Sequence, residues 1–329
     1  MQKWRQSIVF SLVLALLGWA AFYSIQPKIN VAQPGRLNEK AIIAEADVLL
    51  IAETDIITSY VYLPIVKAPP PPNPKKGIGV VTPPACTDLR ELDAAWYSKW
   101  SPWPDSSSCT PEELAKFVPR IRDAEDMQDL NQAIEIAKAS GWLIGFTEPN
   151  LPWQGNISPA QGAIYWRQIE VAANAAGVKL VSPSPNQYSP GEADPYGHQW
   201  TWEMVKEYKK RYGTNPHFDA FGWNIYKRSP DDIKSYLNAR HNEALDRGYT
   251  VPIWVLEYGG ECWNSSTGKT GNTAVMTEVT SWFNKTSWIE RYAWFANRLT
   301  SANKGWQSCS LINVSTGNLS DLGKIYRGY

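Results

Sequence analysis

The chain has 329 residues and carries 32 Lys plus Arg against 32 Asp plus Glu, a balance that provides neither the basic field of a polyanion binder nor an acidic coat, so nucleic acid is not expected as a partner. Its 17 Trp and 16 Tyr exceed the needs of a core of this size, and such amphipathic rings suit the flat apolar faces of pyranose sugars. The 4 cysteines, Cys86, Cys109, Cys262 and Cys309, show no C-x-x-C and no His at ligand spacing, which argues against zinc; no metal and no cofactor are expected.

Lys3 and Arg5 precede an uncharged apolar run from Ile8 to Ile25, the pattern of an export signal with a positive n-region. The run exceeds an ordinary signal core of about 7 to 15 residues and no A-x-A site follows cleanly, which favours an uncleaved membrane anchor over a cleaved signal peptide. About 18 apolar residues suffice to cross a bilayer, with the basic end cytoplasmic and the rest outside. The expected location is therefore the cell surface, or the medium if the signal is removed. Residues 26–67 mix apolar runs with isolated acids and receive no structure. Ala68 to Pro74 then reads Ala-Pro-Pro-Pro-Pro-Asn-Pro, which favours polyproline II and makes a semi-rigid spacer. An SH3-like groove could also read it, but that role belongs to a cytosol. The expected organisation is 1–25 signal or anchor, 26–75 juxtamembrane segment and linker, and 76–329 one domain.

From Lys76 onward, apolar runs alternate with amphipathic stretches. Strands are expected at Gly77–Val81, Ala94–Trp100, Phe117–Ile121, Trp142–Phe146, Lys179–Ser182, Phe218–Tyr226, Ile253–Glu257 and Glu290–Phe295. Helices are expected at Met127–Ala139, Pro159–Ala175, Thr201–Tyr212, Asp231–Arg247, Thr273–Asn284 and near Leu319–Tyr326. Continuous apolar runs are the mark of buried parallel strands. Eight of them over about 250 residues argue an α/β fold, a (β/α)8 TIM barrel. A doubly wound open sheet is the alternative. It would usually carry a phosphate-binding glycine loop after its first strand, and Gly77-Ile78-Gly79-Val80-Val81 lacks the third glycine and the helix start.

Glu148 ends the fourth run and Glu257 the seventh, each followed at once by turn residues, at the end of the barrel where such folds keep their chemistry. Two carboxylates so placed are what a glycosidase needs: one to protonate the leaving oxygen, one to attack or stabilise the sugar. Trp100, Trp153 and Trp263 fall at or near strand tips, where each either lines a sugar cleft or plugs a loop. Cys86 and Cys109 follow the first two strands and Cys262 and Cys309 the last two. Of three connectivities, this order favours Cys86 with Cys109 and Cys262 with Cys309. Gly268-Lys269-Thr270 resembles a P-loop fragment but lacks the preceding glycine, and no G-x-S-x-G is present for a serine triad.

The segments around the two acids resemble glycoside hydrolase family 128. The matching residues are Gly145-Phe146-Thr147-Glu148-Pro149-Asn150 with Gln154, Asn156, Ser158 and Pro159; Trp96-Tyr97 with Trp100; Phe117-Val118-Pro119; Ser182-Pro183; Phe218-Asp219-Ala220 with Tyr226; Pro252-Ile253-Trp254-Val255 with Glu257; and Arg291-Tyr292-Ala293-Trp294-Phe295. The likeness covers about residues 76–329. It implies a retaining β-1,3-glucanase with Glu148 as acid/base and Glu257 as nucleophile, Trp294 as a sugar platform and Tyr226 near the nucleophile. Three positions depart from the family pattern: Thr147 replaces an Asn that would bind the sugar 2-hydroxyl, Asn224 replaces a His, and Ser98-Lys99 replaces Tyr-Asn. Thr147 can still donate one bond, and Thr147 and Asn224 remain candidate substrate-binding residues. Two function classes follow. One is an endo-acting glycosidase on a β-glucan polysaccharide, expected to act as a monomer. The other is a non-catalytic glycan-binding barrel held at a membrane, which the three departures favour.

Overall fold

The computed structural model describes residues 71–190, 196–263 and 268–329. The export segment, the stretch 26–67 and residues 68–70 of the proline-rich spacer lie outside the described residues. In chain order the elements are β1 (Lys76–Gly79), α1 (Ala85–Glu91), β2 (Trp96–Ser98), α2 (Pro111–Leu114), α3 (Leu130–Ser140), β3 (Trp142–Ile144), α4 (Pro159–Ala176), β4 (Lys179–Val181), α5 (Gln199–Tyr212), β5 (Phe221–Tyr226), α6 (Pro230–Asp246), β6 (Ile253–Gly259), α7 (Gly268–Ala274), α8 (Thr280–Lys285), β7 (Ile289–Trp294) and α9 (Asp321–Arg327).

Local chemistry sets these boundaries. Ser158 caps α4 by accepting from the Gln161 N–H, Pro159 fills its first turn, and Gly177 closes it at φ 68°, a left-handed angle that glycine adopts without Cβ strain. Ser229 with Pro230 begins α6 in the same way. Thr110 and Glu113 form a reciprocal capping box on α2, and this short helix, like α1, was not anticipated. The single helix expected at Thr273–Asn284 is instead α7 and α8 joined through a π-helical turn at Val275–Val279.

Each pairing between the named strands is parallel. Five strands form one sheet in the order β2-β1-β7-β6-β5, and β3 pairs with β4 in a second. The result is an α/β fold with seven named strands among the described residues, where the sequence suggested eight. The expected strand Phe117–Ile121 makes only isolated bridges, Tyr97 with Phe117 on one side and Arg120 with Ile144 on the other. Pro119 explains this, since it has no N–H to give to a ladder. Val181 and Ala220 form another such bridge, between the end of β4 and the segment entering β5.

The strands separate two apolar layers. Trp96, Val118, Trp142, Ile144, Val181, Ala220, Trp254, Leu256 and Ala293 cluster on one face. Leu143, Leu180, Trp223, Val255, Tyr258, Tyr292 and Trp294 lie with the helices on the other, as the two-residue period of a strand requires. The first cluster is dense because β1 contributes Gly77 there: a Cβ at that position would collide with the Trp96 indole. Arg291 lies 4.3 Å from the Trp254 ring, and also covers Trp96 and Trp142. Disulfides join Cys86 to Cys109 and Cys262 to Cys309, the pairing the strand order favoured. Among the described residues no helix is long and apolar enough to cross a membrane.

Candidate active site

A cleft of about 930 Å³ opens where β6 and the segments following β3, β4 and β5 end. Glu148 and Glu257 both line it and are only 6% and 4% exposed. Glu148 follows β3 in a pinned backbone: the Thr147 N–H donates to the Arg122 carbonyl and the Glu148 N–H to the Ser184 carbonyl, each at 2.9 Å. Its φ is 43°, in the left-handed region that residues other than glycine rarely occupy. Glu257 sits beside a register irregularity between Val255 and Tyr258 in the β6–β7 pairing. An extra residue at such a bulge re-aims side chains. Leu256 can therefore join the inner cluster and Glu257 enter the cleft while Tyr258 returns to the helix side.

The two acids have opposite settings. Both donors to Glu148 reach the same oxygen: Asn186 Nδ2 lies 2.7 Å from Oε1 and Asn224 Nδ2 3.2 Å from it. Among the described hydrogen bonds none reaches Oε2, which is left to carry a proton. Burial, followed by the charge of Glu257, pushes the Glu148 carboxyl up to about 7, against the weaker pull of Asn186, Asn224 and Arg120. Glu257 receives three donors instead. Trp100 Nε1 lies 2.7 Å and Arg120 Nη1 3.2 Å from Oε1, and the Tyr226 hydroxyl lies 2.6 Å from Oε2. That is the hydrogen-bond complement of an ionised carboxylate. Burial and the nearby carboxylates hold the Tyr226 phenol well above its ordinary value, so it stays a donor.

The surroundings are fixed in turn. Asn186 and Asn150 bond each other reciprocally, at 2.9 and 3.2 Å, and the Asn186 Oδ1 accepts from the Tyr188 N–H, which aims its amide nitrogen at Glu148. Gln187 does the same for Tyr226, donating to its carbonyl at 2.7 Å and accepting from its N–H at 3.0 Å. Phe295 and Trp306 stand edge-on to Tyr226.

The cleft gathers Thr147, Glu148, Tyr226, Glu257, Trp100, Trp153 and Trp263. Trp153 and Trp263 are exposed at 64% and 46%, free to meet a ligand. Asn224 is fully buried behind Glu148, with its Oδ1 lacking any partner among the described residues. Trp294 is a correction. It is fully buried, donates from Nε1 to the Cys309 carbonyl at 2.8 Å and packs edge-on against Tyr258. The strand period turns it to the helix side, and its neighbour Phe295 lines the cleft in its place. Ser98 and Lys99 are not among the lining residues.

Arg120, Asn186 and Trp306 were missed. Arg120 had a readable signal, because a lone charge inside the run Phe117-Val118-Pro119-Arg120-Ile121 has to find a buried partner. Asn186 and Trp306 sit in loops with no periodicity to mark them. Among the described residues no cluster of His, Cys, Asp or Glu could hold a metal ion. Chemically, a buried protonated acid facing an ionised carboxylate across an aromatic-walled cleft can protonate a leaving oxygen and attack the carbon it leaves.

Residues 78–326 match the family described as glycosyl hydrolase catalytic core. Among solved structures, a family 128 subgroup II endo-β-1,3-glucanase from Pseudomonas viridiflava is 25% identical at a TM-score of 0.63, covering 77% of this chain and 96% of that one. A family 128 subgroup III curdlan-specific exo-β-1,3-glucanase from Blastomyces gilchristii, solved with glucose, is 21% identical at a TM-score of 0.62, covering 78% and 100%; that likeness is one of fold. Alkali-sensitive linkage protein 1 of Schizosaccharomyces pombe is 24% identical over 234 residues, which is 70% of this chain and 39% of that protein's length.

Proposed function

We propose, from the premise that the chain belongs to the glycosyl hydrolase catalytic core family, that it is a retaining endo-glycosidase hydrolysing β-1,3-glucan. The observation that carries this reading is the contrast between the acids: Glu148 holds a proton near neutrality while Glu257 accepts from Trp100, Arg120 and Tyr226. Glu148 protonates the glycosidic oxygen, Glu257 attacks the anomeric carbon, and Glu148 then takes a proton from the water that releases the sugar with retained configuration. The glucanase relatives support the substrate class.

The same premise supports one (β/α)8 barrel over residues 76–329. The isolated bridges at Phe117, Arg120 and Ala220 link β2 to β3 and β4 to β5, which would close the ring around the inner apolar cluster. Two disulfides support a life outside the cytosol, at the cell surface or secreted through the N-terminal segment, with the chain acting as a monomer. Release of reducing ends from laminarin or curdlan by the 76–329 fragment tests the activity, and proton NMR of the first product tests retention. Binding without release would instead support the non-catalytic glycan-binding barrel, and an inverted product would sink the nucleophile assignment.

A further inference from the structure

The segment after β4 bonds differently to its two neighbours. Toward β3 the backbone pairs: the Ser184 N–H donates to the Phe146 carbonyl and the Glu148 N–H to the Ser184 carbonyl, each at 2.9 Å. Toward β5 the Ser182 N–H donates to the Ala220 carbonyl at 2.9 Å, and the Ser182 hydroxyl accepts from the Gly222 N–H at 3.0 Å. Beyond Gly222, no backbone bond joins this segment to β5 among the described hydrogen bonds. Pro183 and Pro185 have no N–H with which to extend a ladder.

The Gln187 side chain stands in for the missing strand. Its amide donates to the Tyr226 carbonyl at 2.7 Å and accepts from the Tyr226 N–H at 3.0 Å, the two groups through which a neighbouring strand would bond. Asn186, the residue before it, places its own amide on Glu148 Oε1 at 2.7 Å. Tyr226 in turn places its hydroxyl on Glu257 Oε2 at 2.6 Å. Two consecutive side chains of one loop thus reach both carboxylates, one directly and one through Tyr226. The loop is backed from its other side, where the Gly197 N–H donates to the Gln187 carbonyl at 3.0 Å and a Cβ on Gly197 would collide with the Asn186 carbonyl.

We infer that Gln187 is a positioning residue that makes the loop after β4 a brace between the two acids, a role that rests on the hydrolytic reading above. It fixes Tyr226, and through Tyr226 the nucleophile; by seating the loop on β5 it also fixes Asn186 and the acid. The backbone of Tyr226 is a firm seat, because β5 is held by its ladder to β6. Hydrolysis needs both carboxylates set against one glycosidic bond, and a displacement of about 1 Å can cost about 100-fold in rate. If Gln187 served Tyr226 alone, its loss would reach only the nucleophile, whereas loss of a brace reaches the acid as well.

The test uses the full chain as wild type, Gln187→Ala, Gln187→Met and Asn186→Ala. It compares kcat/KM on a laminari-oligosaccharide with that on a dinitrophenyl β-laminaribioside, whose leaving group needs no proton. Asn186→Ala removes the bond to the acid and leaves Gln187 in place, so it should lose about 10- to 100-fold on the oligosaccharide and little on the aryl substrate. Both Gln187 variants should lose on the two substrates, because Tyr226 and Glu257 are released. They should lose about 10-fold more on the oligosaccharide, because Asn186 and Glu148 are released with them. Adding Asn186→Ala to either should widen that gap no further. Partial unfolding lowers both rates alike and leaves their ratio unchanged, so the ratio reads the brace rather than the amount of folded chain. Gln187→Met keeps most of the side-chain volume and carries the test if Gln187→Ala fails to fold. A wild-type chain inert on both substrates overturns the hydrolytic reading and this inference with it. A chain that turns over while the Gln187 variants lose equally on both substrates, or lose nothing, overturns this inference alone.

Discussion

Glu148 and Glu257 should fail differently when replaced. Glu257→Gln should abolish turnover of every substrate, because no attacking carboxylate remains. Glu148→Ala should cost about 10²- to 10⁴-fold on polysaccharide, much less on an aryl glycoside whose leaving group needs little protonation, and azide should restore part of the rate. Wild-type-like hydrolysis by Glu257→Gln would show that the nucleophile lies elsewhere. The raised Glu148 carboxyl also fixes the pH dependence. Activity should fall as pH rises through about 7, where the acid loses its proton. For stability the sign is the same: a carboxyl whose folded affinity for a proton is raised contributes fully below its unfolded value and loses that contribution as pH rises through the folded one. Glu148→Gln should therefore gain on wild type at pH 8 by on the order of 2 to 3 kcal/mol and not at pH 4, as thermal melts at the two pH values would record. Both acids were legible in the sequence because each ends an apolar run. The asymmetry between them was not, since it depends on Asn186, Asn224 and Arg120 arriving from other parts of the chain.

At the scale of elements, the strands were legible wherever a run was apolar and free of proline, as at Trp142–Ile144 and Ile253–Gly259. The segment Phe117–Ile121 has the composition of a strand, yet Pro119 leaves it a pair of bridges. Trp294 shows a second limit. Strand period predicts which residues share a face, but the irregularity beside Glu257 and the unknown phase of the last strand hid which face looks into the cleft. The disulfides permit a comparison. Cys262 and Cys309 are 47 residues apart and Cys86 and Cys109 are 23 apart, so loop-closure entropy assigns about 4 and about 3 kcal/mol to them. Paired Cys→Ser replacement should lower the denaturation free energy in that order. The 262–309 pair should also cost activity, because Trp263 and Trp306 flank Tyr226; equal activity losses from the two pairs would contradict this. Gly77→Ala should destabilise by about 1 to 3 kcal/mol through its collision with Trp96.

For the whole molecule, the alternation of strand and helix was enough to read an α/β fold, because parallel strands need long crossovers and the crossovers here are helices. The far ends of the described chain are tied together inside that fold. Asp88 on α1 is fully buried and accepts from Arg298 and Asn297, which follow β7. Lys76 on β1 donates to the carbonyl of Arg327, at the end of α9. A fragment of residues 76–329 should accordingly unfold in one cooperative transition and retain the activity of the full chain; two separated transitions, or loss of activity, would refute it. The balanced charge has a kinetic corollary. If the substrate is the neutral glucan proposed above, no net field steers it and kcat/KM should stay level between about 0.05 and about 0.5 M salt; a steep decline would point to an acidic substrate.

The left-handed backbone of Glu148 bears on how the gene would respond to saturation mutagenesis. Holding a glutamate at φ 43° costs on the order of 1 kcal/mol that glycine or asparagine would largely avoid. A screen for cellular abundance should thus score Glu148 as tolerant, and even favour Gly or Asn, while a screen for glucan clearing rejects every change. Arg120, whose loss strands a buried acid, should score as intolerant in both. A position on which the chemistry depends would thus be among the least visible to selection on folding alone.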